Sequence, residues 1–326
     1  ARVTDPAVPR AVRVPGRRLG PALLVLGRRL GLAGLVLWGA VTVAFSAVRL
    51  MPGDTADILA GLTRTTPALR AQIVREYQLD RPLPLQYLGY LGRLLRGDLG
   101  DSYVLRIPVA RAIGQQLGAT LDLLAATVLL TVSVSLFVGL LTAHRGSRLR
   151  GPLTFAETLG AAVPPFWLGI LLLTLLSFRL HWFPAVGTTG PRGLVLPAVT
   201  LAAAPTVMIT QVLRRGLERA LDEPFVVTAR ARGIGEAAVR VRHVLRHALI
   251  PVTTLTGWLA GSLIGGAVVV ESVFSRQGLG RLVVNAVTNK DMPLVIGVVL
   301  VSALVYVAVN TAVDLLYPLI DPRLRA

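Results

Sequence analysis

Six long stretches without a charged residue constrain this chain more than any other feature of its sequence. They contain 19 to 23 residues each and lie at 30–48, 123–143, 158–178, 193–213, 248–270 and 292–313. An α-helix rises about 1.5 Å per residue, so about 20 apolar residues are needed to cross a hydrocarbon layer roughly 30 Å thick. Hydrophobic side chains make up 53% of the chain, which is more than the core of a soluble domain requires. We therefore expect an all-α membrane protein with six transmembrane helices.

The distribution of arginine predicts how these spans are oriented. There are seven arginines in the first 29 residues, three after the second span, eight after the fourth and two after Tyr317. Short loops with an excess of positive charge stay in the cytoplasm. The segment 51–117 has eight arginines and six acidic residues, but it is too long for this rule to apply. Both termini are therefore expected in the cytoplasm, and the net charge of +17 is interpreted as a topology signal in preference to nucleic-acid binding.

The segments outside the spans suggest how the chain is organised. Residues 1–27, rich in proline and arginine, predict a cytoplasmic N-terminal arm, and 28–50 the first transmembrane helix. In 51–117, "TTPALRAQIVREYQL" and "LPLQYLGYLGRLLRGDLG" have leucines at helical spacing. They predict a small extracytoplasmic helical segment or, alternatively, two helices lying on the membrane surface. Residues 118–326 are expected to form a transmembrane core of five helices with a cytoplasmic loop at 214–247.

Glycines and prolines distinguish three of the spans. Gly257, Gly261 and Gly265 repeat every four residues, which predicts a bare stripe where another helix packs closely. The third window includes "AAVPPFWLG", and Pro197 and Pro205 lie in the fourth. A proline within a span bends the helix and frees a backbone carbonyl. Such bends suit a transport pathway, but they also occur in membrane proteins that transport nothing.

The residue types that carry chemistry argue against catalysis by this chain. Lys290, the only lysine, does not belong to a G-x-x-x-x-G-K-[ST] loop, so ATP hydrolysis would require another polypeptide. The chain has no cysteine, and no serine lies in a G-x-S-x-G setting. His243 and His247 are four residues apart, as in a metal site, but their arginine-rich surroundings disfavour a cation. We expect no catalytic residue, no metal site and no cofactor in this chain, although a membrane enzyme remains an unsupported alternative.

Four acidic residues lie at the ends of the windows, where a charge is expensive in lipid. They are Asp122, Glu157, Glu271 and Asp314. Anchoring at the interface or pairing with a neighbouring arginine explains them at least as well as a role in transport. A proton-coupled carrier typically has a carboxylate near the membrane midplane, and the windows contain none. This pattern argues against a secondary transporter.

The loop between the fourth and fifth windows has a pattern that a solvated loop does not need. Asp222, Glu223 and Pro224 predict the start of a short helix, and Gly233 with Gly235 predicts its end. Small side chains would let a partner approach the backbone, an aromatic ring would fill a pocket, and arginines would pair with acidic groups. The docking residues predicted in this way are Phe225, Ala229, Arg230, Ala231, Arg232 and Gly233. The alternative is a solvated loop whose arginines only orient the spans.

Ten short motifs resemble a known family. They are, in order, "RRLGL", "MPGD", "LDRPLPLQYLGYL", "GDLGDS", "IPV", "PPFWLGILLL", "TARARG", "RHALIPVTT", "GGAVVVESVFSRQGLGRL" and "DLLYPLIDPRLR". From about Arg28 to Arg325 the chain resembles the inner-membrane permease subunits of binding-protein-dependent ATP-binding-cassette (ABC) importers of the dipeptide/oligopeptide type, which also serve nickel and glutathione. The resemblance implies the type I importer permease fold.

The resemblance also implies a coupling helix that docks on a separate ATPase. The family's Glu-Ala-Ala slot falls on Val227, Thr228 and Ala229, which adds Thr228 to the docking residues. The literal Glu-Ala-Ala at 236–238 lies beyond the glycine and is interpreted as coincidental. The implied partners are a second homologous permease, two ATPase subunits that bind ATP and Mg²⁺, an extracytoplasmic substrate-binding protein and membrane lipid. The cargo and the substrate-binding residues stay open, and a self-sufficient channel or carrier is the alternative.

Overall fold

The described part of the chain is helical. The computed structural model describes the backbone over 19–50, 71, 74–75, 80–143, 150–185 and 190–320. Within these ranges the helices are joined by turns and loops, and the β-pairing is limited to an isolated bridge between Asp101 and Pro108. The all-α class predicted from the apolar windows is therefore confirmed for the described residues.

In the described ranges, ten α-helices of eight or more residues are numbered in chain order. They are α1 Leu19–Leu50, α2 Leu83–Leu94, α3 Val109–Thr142, α4 Arg150–Ala162, α5 Pro165–Leu172, α6 Pro191–Leu221, α7 Pro224–Ala231, α8 Leu245–Val273, α9 Leu279–Thr288 and α10 Met292–Ile320. A π-helical segment, Leu173–Arg179, continues α5. A three-residue α-helical segment at Glu236–Ala238 and a π-helical segment at Val239–Val244 lead directly into α8.

Long apolar helices correspond to most of the predicted spans. Those long and apolar enough to cross a membrane are Gly27–Leu50, Val109–Thr142, Pro191–Leu221 and Met292–Ala312. The pair Gly151–Gly160 and Pro165–Arg179, bent by 105°, would be a fifth span if it crosses as one unit. The remaining window, 248–270, lies on α8, where Gly261–Val273 is a shorter apolar stretch. The described helices thus account for four or five spans, and the count of six stays a prediction.

The third window differs from the expected single helix. The chain breaks between α4 and α5, where Pro164 takes the extended conformation (φ −60°, ψ 138°) that a residue before proline prefers. Pro165 then starts α5, because its missing N–H is tolerated in a first turn. Pro197 and Pro205, in contrast, lie inside the continuous helix α6.

Several helices extend beyond their windows. The backbone of α1 begins at Leu19, inside the expected arm, whereas residues 1–18 lie outside the described part. Helix α3 begins at Val109 and runs across the expected boundary between 117 and 118. Its first turn is held by burial of Val109, Ala112 and Ile113 against α10, so the helix forms before the charge-free stretch begins.

The described part of the segment 51–117 packs on a different face from the one its leucines indicated. Leu85 and Leu88 of α2 are more than half exposed. The buried face is aromatic, since Tyr90 is 5% exposed and Tyr87 packs edge-on against Phe45 of α1 with 5.3 Å between ring centroids. Most of the first predicted helix, including Thr66 and Ile73, lies outside the described residues.

Close helix contacts form the centre of the fold. On α3, Thr127, Thr131 and Ser135 are buried at four-residue spacing. The Ser135 hydroxyl donates to the Thr206 carbonyl oxygen of α6 at 3.1 Å, which joins the two helices. A Cβ on Gly139 would come within 2.9 Å of Leu213, so this glycine allows α3 and α6 to approach closely.

The glycines of α8 do not all pack against the same neighbouring helix. A Cβ on Gly261 would lie 3.0 Å from Tyr306 of α10, and one on Gly266 would lie 2.6 Å from Leu201 of α6. Gly265 faces open space, and the packing around Gly257 lies outside the described side chains. The close approach therefore involves two helices on different sides of α8.

Candidate docking site

Helix α7 follows α6 after a two-residue turn. Asp222 ends α6 in the helical region, and Glu223 turns to an extended conformation (φ −76°, ψ 146°). Pro224 occupies the first turn, where its ring fixes a helical φ and no N–H is needed. The start of this helix thus lies where Asp222, Glu223 and Pro224 predicted it.

One face of α7 is buried in its own chain. Val226 is fully buried and Ala229 is 7% exposed, in a cluster with Leu217 of α6, Val239 and Val244. Residues three apart share a helix face, so these two side chains anchor α7 on the spans behind it. Ala229 was predicted as a docking residue; its side chain is covered by its own chain, and its part in docking stays a prediction.

The opposite face of α7 is available to a partner. Val227 is 66% exposed, and Thr228 and Ala231 are also exposed. Phe225 is half-buried, with its ring centroid 5.1 Å from that of His247. This aromatic ring therefore contacts its own chain on one side, and its insertion into a partner stays a prediction. Val227 was not among the predicted docking residues, although the family's Glu-Ala-Ala slot begins at this position.

Gly233 ends the helix in a left-handed conformation. Its φ is +76°, its N–H donates to the Arg230 carbonyl at 2.9 Å, and the Ile234 N–H donates to the Ala229 carbonyl at 3.2 Å. This pair of bonds is a Schellman cap, which favours glycine because a Cβ is strained at positive φ. A Cβ at this position would meet no neighbouring atom. The need for glycine therefore comes from the positive φ of the backbone and not from a lack of room for a side chain.

Arg230 is paired within its own chain. Its Nε donates to Glu236 Oε1 at 2.6 Å and its Nη2 to Oε2 at 3.2 Å, a two-pronged contact between exposed groups. The hydrogen bond to Glu236 raises the pKa of the Arg230 guanidinium. Glu236 thus has a structural role beside the glycine cap. Arg230 already has an acidic partner within its own chain. Arg232 is exposed.

A buried ion pair lies behind this surface. Arg214 of α6 donates from Nη1 to Glu157 Oε1 at 3.1 Å and from Nη2 to Oε2 at 2.8 Å, and both side chains are 8% exposed. Pairing of Glu157 with an arginine was one of the two expectations for this residue, and it is confirmed. Nearby, a Cβ on Gly216 would lie 3.1 Å from Ala248 Cα, so α6 and α8 are in close contact next to α7.

Glu271 forms a second buried carboxylate site at the end of α8. Its carboxylate is fully buried and accepts hydrogen bonds from the Thr120 hydroxyl at 2.6 Å and from the Gly280 N–H at 2.7 Å. The Arg281 N–H adds a longer bond at 3.3 Å. The Thr120 hydroxyl in turn accepts from the Leu279 N–H at 2.8 Å. Glu271 therefore caps the first turn of α9 and joins it to α3 and α8.

Asp291 forms a third such site at the start of α10, and sequence reasoning missed it. The fully buried carboxylate accepts a bond from the Ser102 hydroxyl, the Tyr103 N–H at 3.1 Å and the Val104 N–H at 3.2 Å. It also accepts from the Leu294 N–H at 3.4 Å. An aspartate two residues before a proline, as in Asp291–Pro293, is a signal for a helix N-cap that was available in the sequence.

The other sequence candidates are not brought together. Asp122 is exposed, and the side chain of Asp314 lies outside the described part. His247 contacts Phe225, and Arg246 donates to its Nε2 at 3.3 Å. Among the described residues, no three histidine, aspartate or glutamate side chains form a group that could hold a metal ion.

Comparison with known proteins gives consistent matches over most of the chain. Residues 135–326 match the family model described as binding-protein-dependent transport system inner membrane component. An oligopeptide transport system permease protein of Bacillus subtilis is 34% identical over 302 residues, which cover 89% of this chain and 95% of the relative. A di/tripeptide transport system permease protein of Pseudomonas aeruginosa is 34% identical, with coverages of 88% and 94%. A glutathione transport system permease protein of Salmonella choleraesuis is 38% identical, with coverages of 86% and 92%.

Proposed function

Because this chain belongs to the binding-protein-dependent transport system inner membrane components and is thus the multi-pass permease component of an ABC importer, we propose that it forms half of an ATP-driven pathway for peptides. The proposed cargo is a dipeptide, oligopeptide or peptide-like solute such as glutathione. These ligands appear in the names of relatives that match the chain over most of its length. The other half of the pathway would be a second, homologous permease, and an extracytoplasmic binding protein would deliver the cargo.

The proposed topology has six spans with both termini in the cytoplasm. Four long apolar helices and a bent pair support this count, together with α8 over the remaining window. The arginine-rich segment between α6 and α8 then faces the cytoplasm, as its positive charge predicts. The exposed face of α7 would therefore be presented to cytoplasmic proteins.

The observation that carries the proposal is the construction of α7. Its inner face is buried against α6 and the segment leading into α8, while Val227, Thr228 and Ala231 remain outside. A short helix that is capped at its end and anchored to two long helices can transmit a displacement to both. We infer that the outer face docks on an ATPase subunit and that the buried pair Glu157–Arg214 helps α4 to move with α6.

ATP and Mg²⁺ are proposed to bind only to the partner ATPases. The chain has no Walker A loop, so its contribution would be mechanical. Closure of two ATPase subunits would move α7 and change the angle between α6 and α8, which would open the pathway to alternate sides. No residue of this chain is assigned to catalysis or to the cargo.

A matched pair of variants tests the docking assignment. Val227→Glu introduces a charge on the outer face of α7, and Val241→Glu makes the same change at a site of similar exposure in the π-helical segment. A charge buried without a partner in an interface is strongly unfavourable. We expect Val227→Glu to lower cargo-stimulated ATPase activity and transport at least tenfold in proteoliposomes containing all subunits, and Val241→Glu to change them less than twofold.

The same assay separates the alternatives. Equal loss in the two variants would contradict docking through the outer face of α7. Cargo uptake by the purified chain without any ATPase would instead indicate a self-sufficient channel or carrier. Co-purification of the Val227→Glu chain with its homologous permease, but with less ATPase than the wild type, would locate the defect at the proposed surface.

A further inference from the structure

A cavity of about 360 Å³ lies where the end of α1 meets α2. This volume is within the roughly 300–1,000 Å³ range of small-molecule sites. Its lining combines Phe45 and Tyr90 with three arginines, Arg49, Arg81 and Arg93. The proposed function uses none of these residues, so the cavity requires its own explanation.

The cavity has an excess of positive charge. Asp101 is the acidic residue in its lining, against the three arginines. Within the described part of the chain, none of these arginines forms an ion pair with a carboxylate. Arg49 donates instead to the Gln86 side-chain oxygen and lies over the Phe45 ring at 5.8 Å, and Arg93 lies over the Tyr90 ring at 5.4 Å. These contacts orient the guanidinium groups without neutralising them.

Two buried donors in the lining have no hydrogen-bond partner among the described residues. The Tyr90 hydroxyl and the Arg49 Nε are buried and make no hydrogen bond in the described structure. Tyr90 is only 5% exposed, and burial raises the pKa of its phenol, so the hydroxyl keeps its proton. A buried donor left without an acceptor is costly. An anion in the cavity would satisfy both groups.

The position of the cavity indicates the source of the anion. The apolar helix Gly27–Leu50 has 24 residues, and at about 1.5 Å per residue it spans the hydrocarbon layer and ends near the head groups. Arg49 lies one residue before that end. Beside the cavity, Leu50 of α1 and Leu85 and Leu88 of α2 expose more than half of their surface. Cations next to exposed leucines at this depth match a phospholipid, with its phosphate among the arginines and its acyl chains along the leucines.

We propose that this cavity binds the phosphodiester head group of an anionic phospholipid, held by Arg49, Arg81, Arg93 and the Tyr90 hydroxyl. Guanidinium forks match the geometry of phosphate oxygens, and the phenol supplies a neutral donor. The bound lipid links α1 to α2 at the membrane surface. This role is independent of the ATPase docking described above, because it involves none of the residues of α7 and requires no partner protein.

Lipid titration of the purified full-length chain tests this proposal. Native mass spectrometry in detergent would measure the Kd for dioleoyl phosphatidylglycerol, for dioleoyl phosphatidylcholine and for inorganic phosphate. We expect phosphatidylglycerol to bind about tenfold tighter than phosphatidylcholine, whose cationic choline is repelled by the arginines. Inorganic phosphate should bind more weakly than either lipid, because it lacks acyl chains.

Variants assign the binding to the cavity. Arg93→Gln should weaken phosphatidylglycerol binding about tenfold, since it removes one charge-assisted hydrogen bond, and Tyr90→Phe should weaken it severalfold without changing the shape. Arg96→Gln is the matched control, because Arg96 is exposed on the same helix end and donates to the Gly92 carbonyl at 3.0 Å, outside the cavity. It should bind this lipid within twofold of the wild type.

Three results would overturn the proposal. Equal affinity for the two lipids would remove the role of the head-group charge. Equal effects of Arg93→Gln and Arg96→Gln would place binding elsewhere, and full displacement of phosphatidylglycerol by equimolar phosphate would indicate a site for a soluble anion. Unchanged lipid binding by Arg93→Gln, together with lost capture of the substrate-binding protein, would assign the cavity to a protein contact instead. Unchanged gel-filtration profiles of Tyr90→Phe and Arg93→Gln exclude misfolding as the cause of a loss.

Discussion

Replacement of Glu271 is the perturbation whose effect the structure defines most directly. The buried carboxylate accepts two short bonds, at 2.6 and 2.7 Å, and one longer bond at 3.3 Å. Loss of a hydrogen bond to a charged group costs about 1.5–3 kcal/mol, so the two short bonds together account for about 3–6 kcal/mol. In Glu271→Ala the Gly280 N–H would also stay buried beside a small cavity. We therefore expect the free energy of unfolding to fall by about 5 kcal/mol.

The conservative variant should have an intermediate effect. Glu271→Gln keeps the shape and one acceptor oxygen but loses the charge, so it should cost about 2 kcal/mol. A change of 1 kcal/mol shifts the Tm of a domain of 150–250 residues by about 2–4 °C. These values predict a fall of about 10–20 °C for Glu271→Ala and about 4–8 °C for Glu271→Gln.

Tryptophan fluorescence during heating of the detergent-purified chain measures these shifts, since the chain has four tryptophans. Glu223→Gln is the control, because Glu223 is exposed and makes no side-chain capping bond to α7. It should change the Tm by less than about 1 °C. A Tm of Glu271→Ala within 2 °C of the wild type, or an equal shift in the control, would refute the assignment of Glu271 as the link between α3, α8 and α9.

Two further predictions concern the region around α7. Gly233→Ala should destabilise the end of α7 by about 1 kcal/mol, because alanine is strained at a φ of +76°, whereas Gly235→Ala at a φ of −64° should change little. Hydrogen exchange of the amides at 230–234 would detect this difference, and equal exchange in the two variants would contradict the cap. Arg214→Gln should cost about 3–5 kcal/mol by leaving Glu157 buried without its partner, and the double variant Glu157→Leu with Arg214→Leu should recover much of that loss. Thermal unfolding of Arg214→Gln and of the double variant would test this prediction. A double variant less stable than Arg214→Gln would contradict the pairing argument.

The apolar windows predicted helix positions well, because membrane insertion depends on the segment itself. Windows 30–48, 193–213 and 292–313 lie inside α1, α6 and α10. The third window failed as a single helix because two adjacent prolines outweigh the apolar character around them. Helix α3 starts well before its window, since a helix can continue wherever its side chains find partners and does not require a charge-free sequence.

The predicted docking residues show where a local pattern is insufficient. Ala229 and Ala231 are two positions apart and therefore project from different sides of α7. The spacing separates the two sides, but only the packing of Val226 on the cluster around Leu217 identifies which side is inside. The pairing of Arg230 also depends on the folded chain, because the Schellman cap turns the backbone and brings Glu236 next to Arg230.

The sequence by itself determined the helical membrane class, most span positions, the helix at 224–231 and the family, because these depend on hydrophobicity, turn residues and motifs that are local to each segment. Only the tertiary structure decided which carboxylates are buried and what they hold. Glu271 meets Thr120 across 151 positions, Asp291 meets Ser102 across 189, and Glu157 meets Arg214 across 57. These contacts depend on how the helices pack against one another. A local sequence pattern cannot predict them, because the paired residues are far apart in the chain.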